Sequence, residues 1–217
     1  MNDKKISLKG FEEKIREFEK SGKTTMIVSE NKRIIGIIAV SDTIKEDSLI
    51  AINELKRQGY RVIMITGDNE RTARAIAEQA GISEVIAKVL PEDKLEKIIQ
   101  LQRYGFVAFV GDGINDAPAL KQANVGIAMG TGTDIAIEAG DIVLVRGSLI
   151  GVVRAINLSK ETFKTIKQNL FWAFFYNVVA IPLAVVGFVN PVIAELAMAL
   201  SSITVVSNAN LLRRKRI

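Results

Sequence analysis

Cysteine and histidine are both absent from the 217 residues. Their absence excludes disulfides, Cys/His zinc sites, cysteine nucleophiles and any histidine-based acid–base triad within this polypeptide. Missing cysteine says little, by itself, about redox compartment. Charge of one sign is not concentrated either. The net charge is +5, and the basic residues are scattered apart from Arg213-Arg214-Lys215-Arg216. No nucleic-acid motif accompanies them, so no nucleic-acid partner is expected. Met1 to Lys5 lead into a charged helix and carry no signal-peptide pattern.

What the chain has in excess is apolar length, and it lies after residue 169. Leu170 to Val189 is 20 residues without a charged side chain. At a rise of about 1.5 Å per residue this spans about 30 Å, one hydrocarbon core. Asn190-Pro191 interrupts the run, and a second apolar segment from Val192 to about Leu212 carries one charge, Glu195. Lys160, Lys164 and Lys167 precede the first span and the Arg/Lys cluster follows the second. By the positive-inside rule both ends of such a hairpin face the cytoplasm. Phe171, Trp172, Phe174, Phe175 and Tyr176 also suit a membrane rather than a soluble core. These features predict an integral membrane chain, in the plasma membrane, with lipid as a partner and its soluble part cytoplasmic.

The first 150 residues read differently. Residues 8–21 form an amphipathic helix with Phe11, Ile15 and Phe18 on one side. Thr24 to Val28 and Arg33 to Val40 are strands around a Glu30-Asn31-Lys32 turn. Helices are predicted at 46–59, 69–81 and 92–104, the first two closed by Gly59 and Gly81. Strands alternate with them at 61–65, 85–86, 106–110, 125–129 and 142–145, with short helices at 117–122 and 134–139. Such alternation is the pattern of a parallel α/β sheet. A polar helix from about Leu149 to Gln168 leads into the apolar span.

Three motifs lie at strand ends or helix starts. Val110-Gly111-Asp112-Gly113-Ile114-Asn115-Asp116 places two carboxylates and an amide just past a strand, where open α/β sheets bind ligands. Mg²⁺ takes one or two carboxylates with waters and phosphate oxygens, which this run suits. An Asp/Asn/Gly turn without ligand is the competing reading. Thr66-Gly67-Asp68-Asn69 offers a hydroxyl and a helix N-terminus to a phosphate oxygen, or simply caps that helix. Pro91-Glu92-Asp93-Lys94 puts an ammonium in the first turn of a helix. Converged, the three would hold a phosphoryl group and Mg²⁺ by positioning and electrostatics. Gly22-Lys23-Thr24 is not a P-loop, because position 17 is Glu rather than Gly. Gly130-Thr131-Gly132 is not a dinucleotide fingerprint, because the third glycine position is Ile135.

In order and spacing these three motifs resemble the phosphorylation domain of P-type ATPases, which is haloacid dehalogenase-like. The similarity runs on through Ala117-Pro118-Ala119-Leu120, Met129 to Asp134 and Ala139-Gly140-Asp141. The resemblance implies a catalytic set of Thr66, Gly67, Asp68, Lys94 and Asn115. Thr66 would bond the transferred phosphoryl group, Lys94 would neutralise it, and Asp68 would sit at an interface that opens and closes. Asp112 and Asp116 would form the Mg²⁺ corner, supported by Asn115, with ATP as substrate. Asn169, Tyr176 and Asn177 on the first span, and Met198, Ser201 and Ser202 on the second, are similar to the last two membrane helices of copper-transporting P-type ATPases. From spacing alone they read as helix-packing groups. By the resemblance, Asn169, Tyr176, Asn177, Met198 and Ser202 would meet Cu⁺ as transported ion, a soft cation that suits a thioether.

The expected organisation is a tail of the nucleotide-binding domain at 1–40, a phosphorylation domain at 41–148, and a linker helix with two membrane helices at 149–217 (spans about 169–189 and 191–212). The fold class is α/β, a haloacid dehalogenase-like doubly wound parallel sheet that is incomplete, followed by a transmembrane helical hairpin. It is incomplete because the family's nucleophile motif, Asp-Lys-Thr-Gly-Thr, does not occur, nor do Cys-Pro-Cys or the nucleotide-binding His-Pro. Without the central nucleophile strand the sheet should leave an open slot with unpaired backbone groups. Asp42 follows a strand but lacks the accompanying Asp and Thr. The chain therefore reads as the C-terminal portion of a Cu(I)-exporting pump, inactive alone, whose partners are the nucleophile, actuator and Cys-Pro-Cys segments. A non-catalytic subunit of such a pump and a membrane-anchored phosphatase are the alternatives.

Overall fold

A computed structural model describes residues 8, 10–31, 33–40, 44–187 and 191–215. Asp42 and Asn190 lie outside the described residues. Contacts divide the chain into two units, Met1–Val153 and Arg154–Ile217.

In the first unit, helix α1 (Glu12–Lys20) leads into an antiparallel pair, β1 (Thr24–Glu30) and β2 (Arg33–Val40), registered Thr24 opposite Val40. Asn31 makes the turn with φ 46°, a left-handed conformation that Asn tolerates. Then come α2 (Glu46–Arg57), β3 (Ile63–Ile65), α3 (Glu70–Gln79), β4 (Glu84–Ile86), α4 (Asp93–Gln102) and β5 (Ala108–Gly111). A single 3₁₀ turn (Ile114–Asp116) runs into α5 (Ala117–Gln122), followed by β6 (Val125–Met129), α6 (Asp134–Ala139) and β7 (Ile142–Leu144).

The helix ends follow the glycines. Gly59 and Gly81 adopt φ 86° and 72°. Behind Gly59, Tyr60 N donates to Leu55 O while Gly59 N donates to Lys56 O, the paired bonds of a Schellman stop. Helix α3 starts on Asn69, whose Oδ1 accepts from Arg71 N and Thr72 N at 3.0 and 3.1 Å. Such a cap stabilises a helix by about 1 kcal/mol.

All pairs beyond the β1–β2 ribbon are parallel, as the strand–helix alternation requires, but they do not form one sheet. Strand β3 pairs with β4, and β5, β6 and β7 pair in that order. Among the described residues β3 and β5 each keep one unpaired edge, in keeping with a sheet that lacks its middle strand. Strand β6 is buried along Gly126, Ile127 and Ala128, the continuous burial expected of a parallel strand covered on both faces. Its core is small-residue packing: Leu120, Ala128, Ala136 and Ala139, with Phe109 and Ala117 against them.

The second unit is helical. Polar helix and apolar span are one continuous element, α7 (Ile150–Val185), and α8 (Pro191–Leu212) follows. Helix α7 is long and apolar enough to cross a membrane, and its apolar window is not buried by protein. In α8 the described apolar stretch, Met198–Leu212, is shorter than one span needs.

Candidate active site

Two polar corners form at the ends of the parallel strands. The first is built on Asp116, which is 7% exposed. Its Oδ1 accepts from Lys94 Nζ at 2.7 Å, and its Oδ2 accepts from Gly113 N at 3.1 Å and Asp112 N at 3.3 Å. Both oxygens of Asp116 are therefore occupied by protein donors. One ties down the lysine from α4, and the other folds the Gly111-Asp112-Gly113 turn over the carboxylate. These charge-assisted bonds fix the loop and hold the lysine in place. Gly111 permits the closeness, since a Cβ there would lie 2.7 Å from the Asp116 Cβ.

Asp112 stands differently. Its residue is exposed, and no protein donor engages its carboxylate among the described residues. Its backbone is braced from behind: Thr133 N donates to Asp112 O at 2.9 Å. A Cβ at Gly132 would sit 2.2 Å from that same oxygen, so only glycine lets the loop approach. One free carboxylate on a braced loop, beside a fixed ammonium, suits Mg²⁺, which keeps most of its waters and shares phosphate oxygens. Asn115 is exposed next to Asp112.

The second corner is Thr66-Gly67-Asp68, at the end of β3. Thr66 Oγ1 donates to Asp68 Oδ2 at 2.9 Å and accepts from Asp68 N at 3.1 Å. Thr24 on β1 donates to the other oxygen, Asp68 Oδ1, at 3.2 Å. Gly67 is exposed, with the loop closed by Val89 N donating to Thr66 O. The structure thus brings Lys94, Asp112 and Asp116 into one cluster and Thr66, Gly67 and Asp68 into another. Among the described residues no hydrogen bond or ion pair joins the two, and each cluster borders a strand with a free edge.

The five residues assigned to the transported ion also divide. Asn169 and Tyr176 are half-buried on α7, whereas Asn177, Met198 and Ser202 are exposed. Asn177 Nδ2 donates to Ala173 O at 2.9 Å and Ser202 Oγ to Met198 O at 3.1 Å, each within its own helix. Asn169 accepts across the helix pair from Asn208 Nδ2 at 2.8 Å. Sequence reading passed over Asn208, an amide in a largely apolar helix. It also passed over the bracing roles of Gly132 and Thr133, though a Gly-Thr-Gly-Thr run one strand after the carboxylates signals a second loop at the same sheet end.

Residues 2–124 match the family described as haloacid dehalogenase-like hydrolase, and 93–156 match a second description of the same kind. The chain is 51% identical to a copper-exporting P-type ATPase of Staphylococcus saprophyticus, across all of this chain and 28% of that protein. It is 55% identical to a probable copper-exporting P-type ATPase V of Mycobacterium tuberculosis, across 91% of this chain and 26% of that one. The chain thus spans little more than a quarter of the curated relatives it matches. A solved zinc-transporting PIB-type ATPase in an E2.Pi state superposes on 96% of this chain and 34% of its own, with TM-score 0.82 and 39% identity. With the family match covering more than half its length, and with P-type ATPases similar to it from end to end, the chain belongs to the haloacid dehalogenase-like hydrolase family.

Proposed function

We propose that this chain is the phosphate-handling and exit portion of an ATP-driven P-type pump that exports Cu(I) through an aspartyl phosphate. The observation that carries the reading is the Lys94–Asp116–Asp112 corner, a fixed ammonium beside a free carboxylate. Lys94, held by Asp116, lowers the charge of the phosphoryl group. Asp112 would hold Mg²⁺, whose bound charge offsets the phosphate oxygens. Thr66 turns its hydroxyl from Asp68 to the phosphoryl group, and Asp68 is left to the Thr24 side, where segments close on one another. Asn115 supports the phosphate side, and Asp116 is an anchor rather than a second metal ligand. The nucleophile is supplied by sequence bearing Asp-Lys-Thr-Gly-Thr, as are the actuator and Cys-Pro-Cys helices. In the proposed division, 1–40 serves nucleotide binding, 41–148 phosphoryl chemistry and 149–217 the membrane path, with the soluble part cytoplasmic.

Copper is favoured over zinc as cargo. The copper-exporting relatives are 50–55% identical, against 39–40% for the zinc-transporting structures. A thioether such as Met198 is a soft ligand that selects Cu(I).

Labelled ATP with Mg²⁺ tests the proposal. The chain alone should give no hydroxylamine-sensitive phosphoprotein. Joined to a segment carrying Asp-Lys-Thr-Gly-Thr and Cys-Pro-Cys, it should give one that depends on Cu(I) and is lost in Lys94→Ala. Label on the chain alone, abolished by Asp42→Asn, would instead make it a membrane-anchored phosphatase. A complete pump that is phosphorylated equally without Cu(I) would leave only a non-catalytic subunit.

A further inference from the structure

Helices α7 and α8 are tied at two heights. Asn208 Nδ2 donates to Asn169 Oδ1 at 2.8 Å and to Gln168 Oε1 at 3.3 Å. Lys215, just past α8, pairs with Glu161 on α7. From Glu161 to Asn169 is eight residues up one helix, and from Lys215 to Asn208 is seven down the other. Each step is about 1.5 Å, so the two ties describe one antiparallel register. Carried onward from Asn169 and Asn208, that register sets Ala173 level with Thr204 and Tyr176 level with Ser201. Burial supports it independently, because these same four residues are half-buried while Asn177, Met198 and Ser202 are exposed.

We infer that Asn208 and Asn169 form an interhelical amide clamp that sets the register of α7 against α8. An unpaired amide in hydrocarbon is costly, so each amide is satisfied only when its helix stops at this height. Apolar neighbours slide past one another with little change in packing; this pair does not. Asn169 thereby leaves the list of ion ligands and becomes a positioning residue, as does Asn208. Resting on the cargo reading proposed above, the clamp holds Asn177 level with the Met198–Ser202 turn. Side-chain amides bridging two helices are the glue that membrane helices use in place of a hydrophobic force between them.

The absence of cysteine makes the test direct, since an introduced pair holds the only thiols in the chain. Membranes containing the whole chain are oxidised with iodine. Ala173→Cys with Thr204→Cys should cross-link. Ala180→Cys with Thr204→Cys, offset by about 10 Å along the helices, should not, because a disulfide needs its Cα atoms within about 7 Å. Adding Asn208→Leu should cut the preference about threefold, and Asn169→Asp, which keeps the acceptor oxygen, should retain it. Equal linking of both pairs with the clamp intact would overturn the register. A preference unmoved by Asn208→Leu would overturn the clamp. Loss of Cu(I) binding in Asn177→Ala or Met198→Ala is a separate readout: its failure sinks the cargo reading and leaves the clamp standing.

Discussion

The two units satisfy polar groups and dispose of apolar ones in opposite ways. In Met1–Val153 the buried carboxylate of Asp116 accepts from three donors, and small side chains such as Ala51, Ala73 and Ala128 are fully buried. In Arg154–Ile217 the large side chains face outward, Phe174 at 62% and Val185 at 82% exposure, while Asn177, Ser202 and Thr204 bond back to their own helices. The first pattern is that of a chain that must hide hydrocarbon from water. The second is that of one that must hide backbone and amides from hydrocarbon. One polypeptide therefore carries two definitions of inside.

The largest effect is expected where the first unit cannot compensate. Lys94→Met removes the partner of a carboxylate that is nearly closed off, with side chains 18% and 10% exposed. A broken buried pair costs about 3–5 kcal/mol. A fall of that size should appear in denaturant unfolding of the detergent-solubilised chain, and a midpoint unchanged by the substitution would mean that Asp116 is hydrated. Next comes a pair that breaks the comparison directly. Val145 and Val178 are 88% and 67% exposed. Val178→Arg should oppose membrane insertion by about 2.5–3.5 kcal/mol, whereas Val145→Arg should have no measurable effect. Equal behaviour in a glycosylation-mapping insertion assay would show that both face the same medium.

The smallest effect lies on the surface. The Arg61 guanidinium hydrogen-bonds Glu84 across the β3–β4 pair and holds its carboxyl below the usual range. A depressed carboxylate contributes stability above its unfolded-state pKa. That contribution fades as pH falls through the lowered folded value. Acid scans should show Arg61→Gln flattening this part of the pH dependence, most visibly at low salt. An identical acid limb in both proteins would remove the ion pair from the account.

Local signals were legible in advance because local physics decides them. Gly59 and Gly81 stop helices where left-handed backbone is needed, and β6 and α6 occupy the residues their apolar patterns outline. The Gly111–Asp116 run was legible as a loop at a strand end, because Gly, Asp and Asn favour turns where an apolar run stops. What was not legible was which oxygen does what. Asp112 and Asp116 are alike in sequence, and only the fold sends Lys94 to one of them. The Asn169–Asn208 bond was not legible for a related reason: the spacing of Asn169 from Tyr176 describes one helix, while Asn208 lies 39 residues away. The polar helix read at about Leu149 to Gln168 and the apolar span after it are one helix, since α7 runs through the change of hydropathy without a break. Helix propensity continues where hydropathy changes.

The free edges of β3 and β5 have a meaning beyond the missing strand. An open edge is a template on which any extended segment in the cell can lay itself down. Here one edge offers three residues and the other four. A stray peptide would gain only a few backbone bonds from either, too few to repay its ordering.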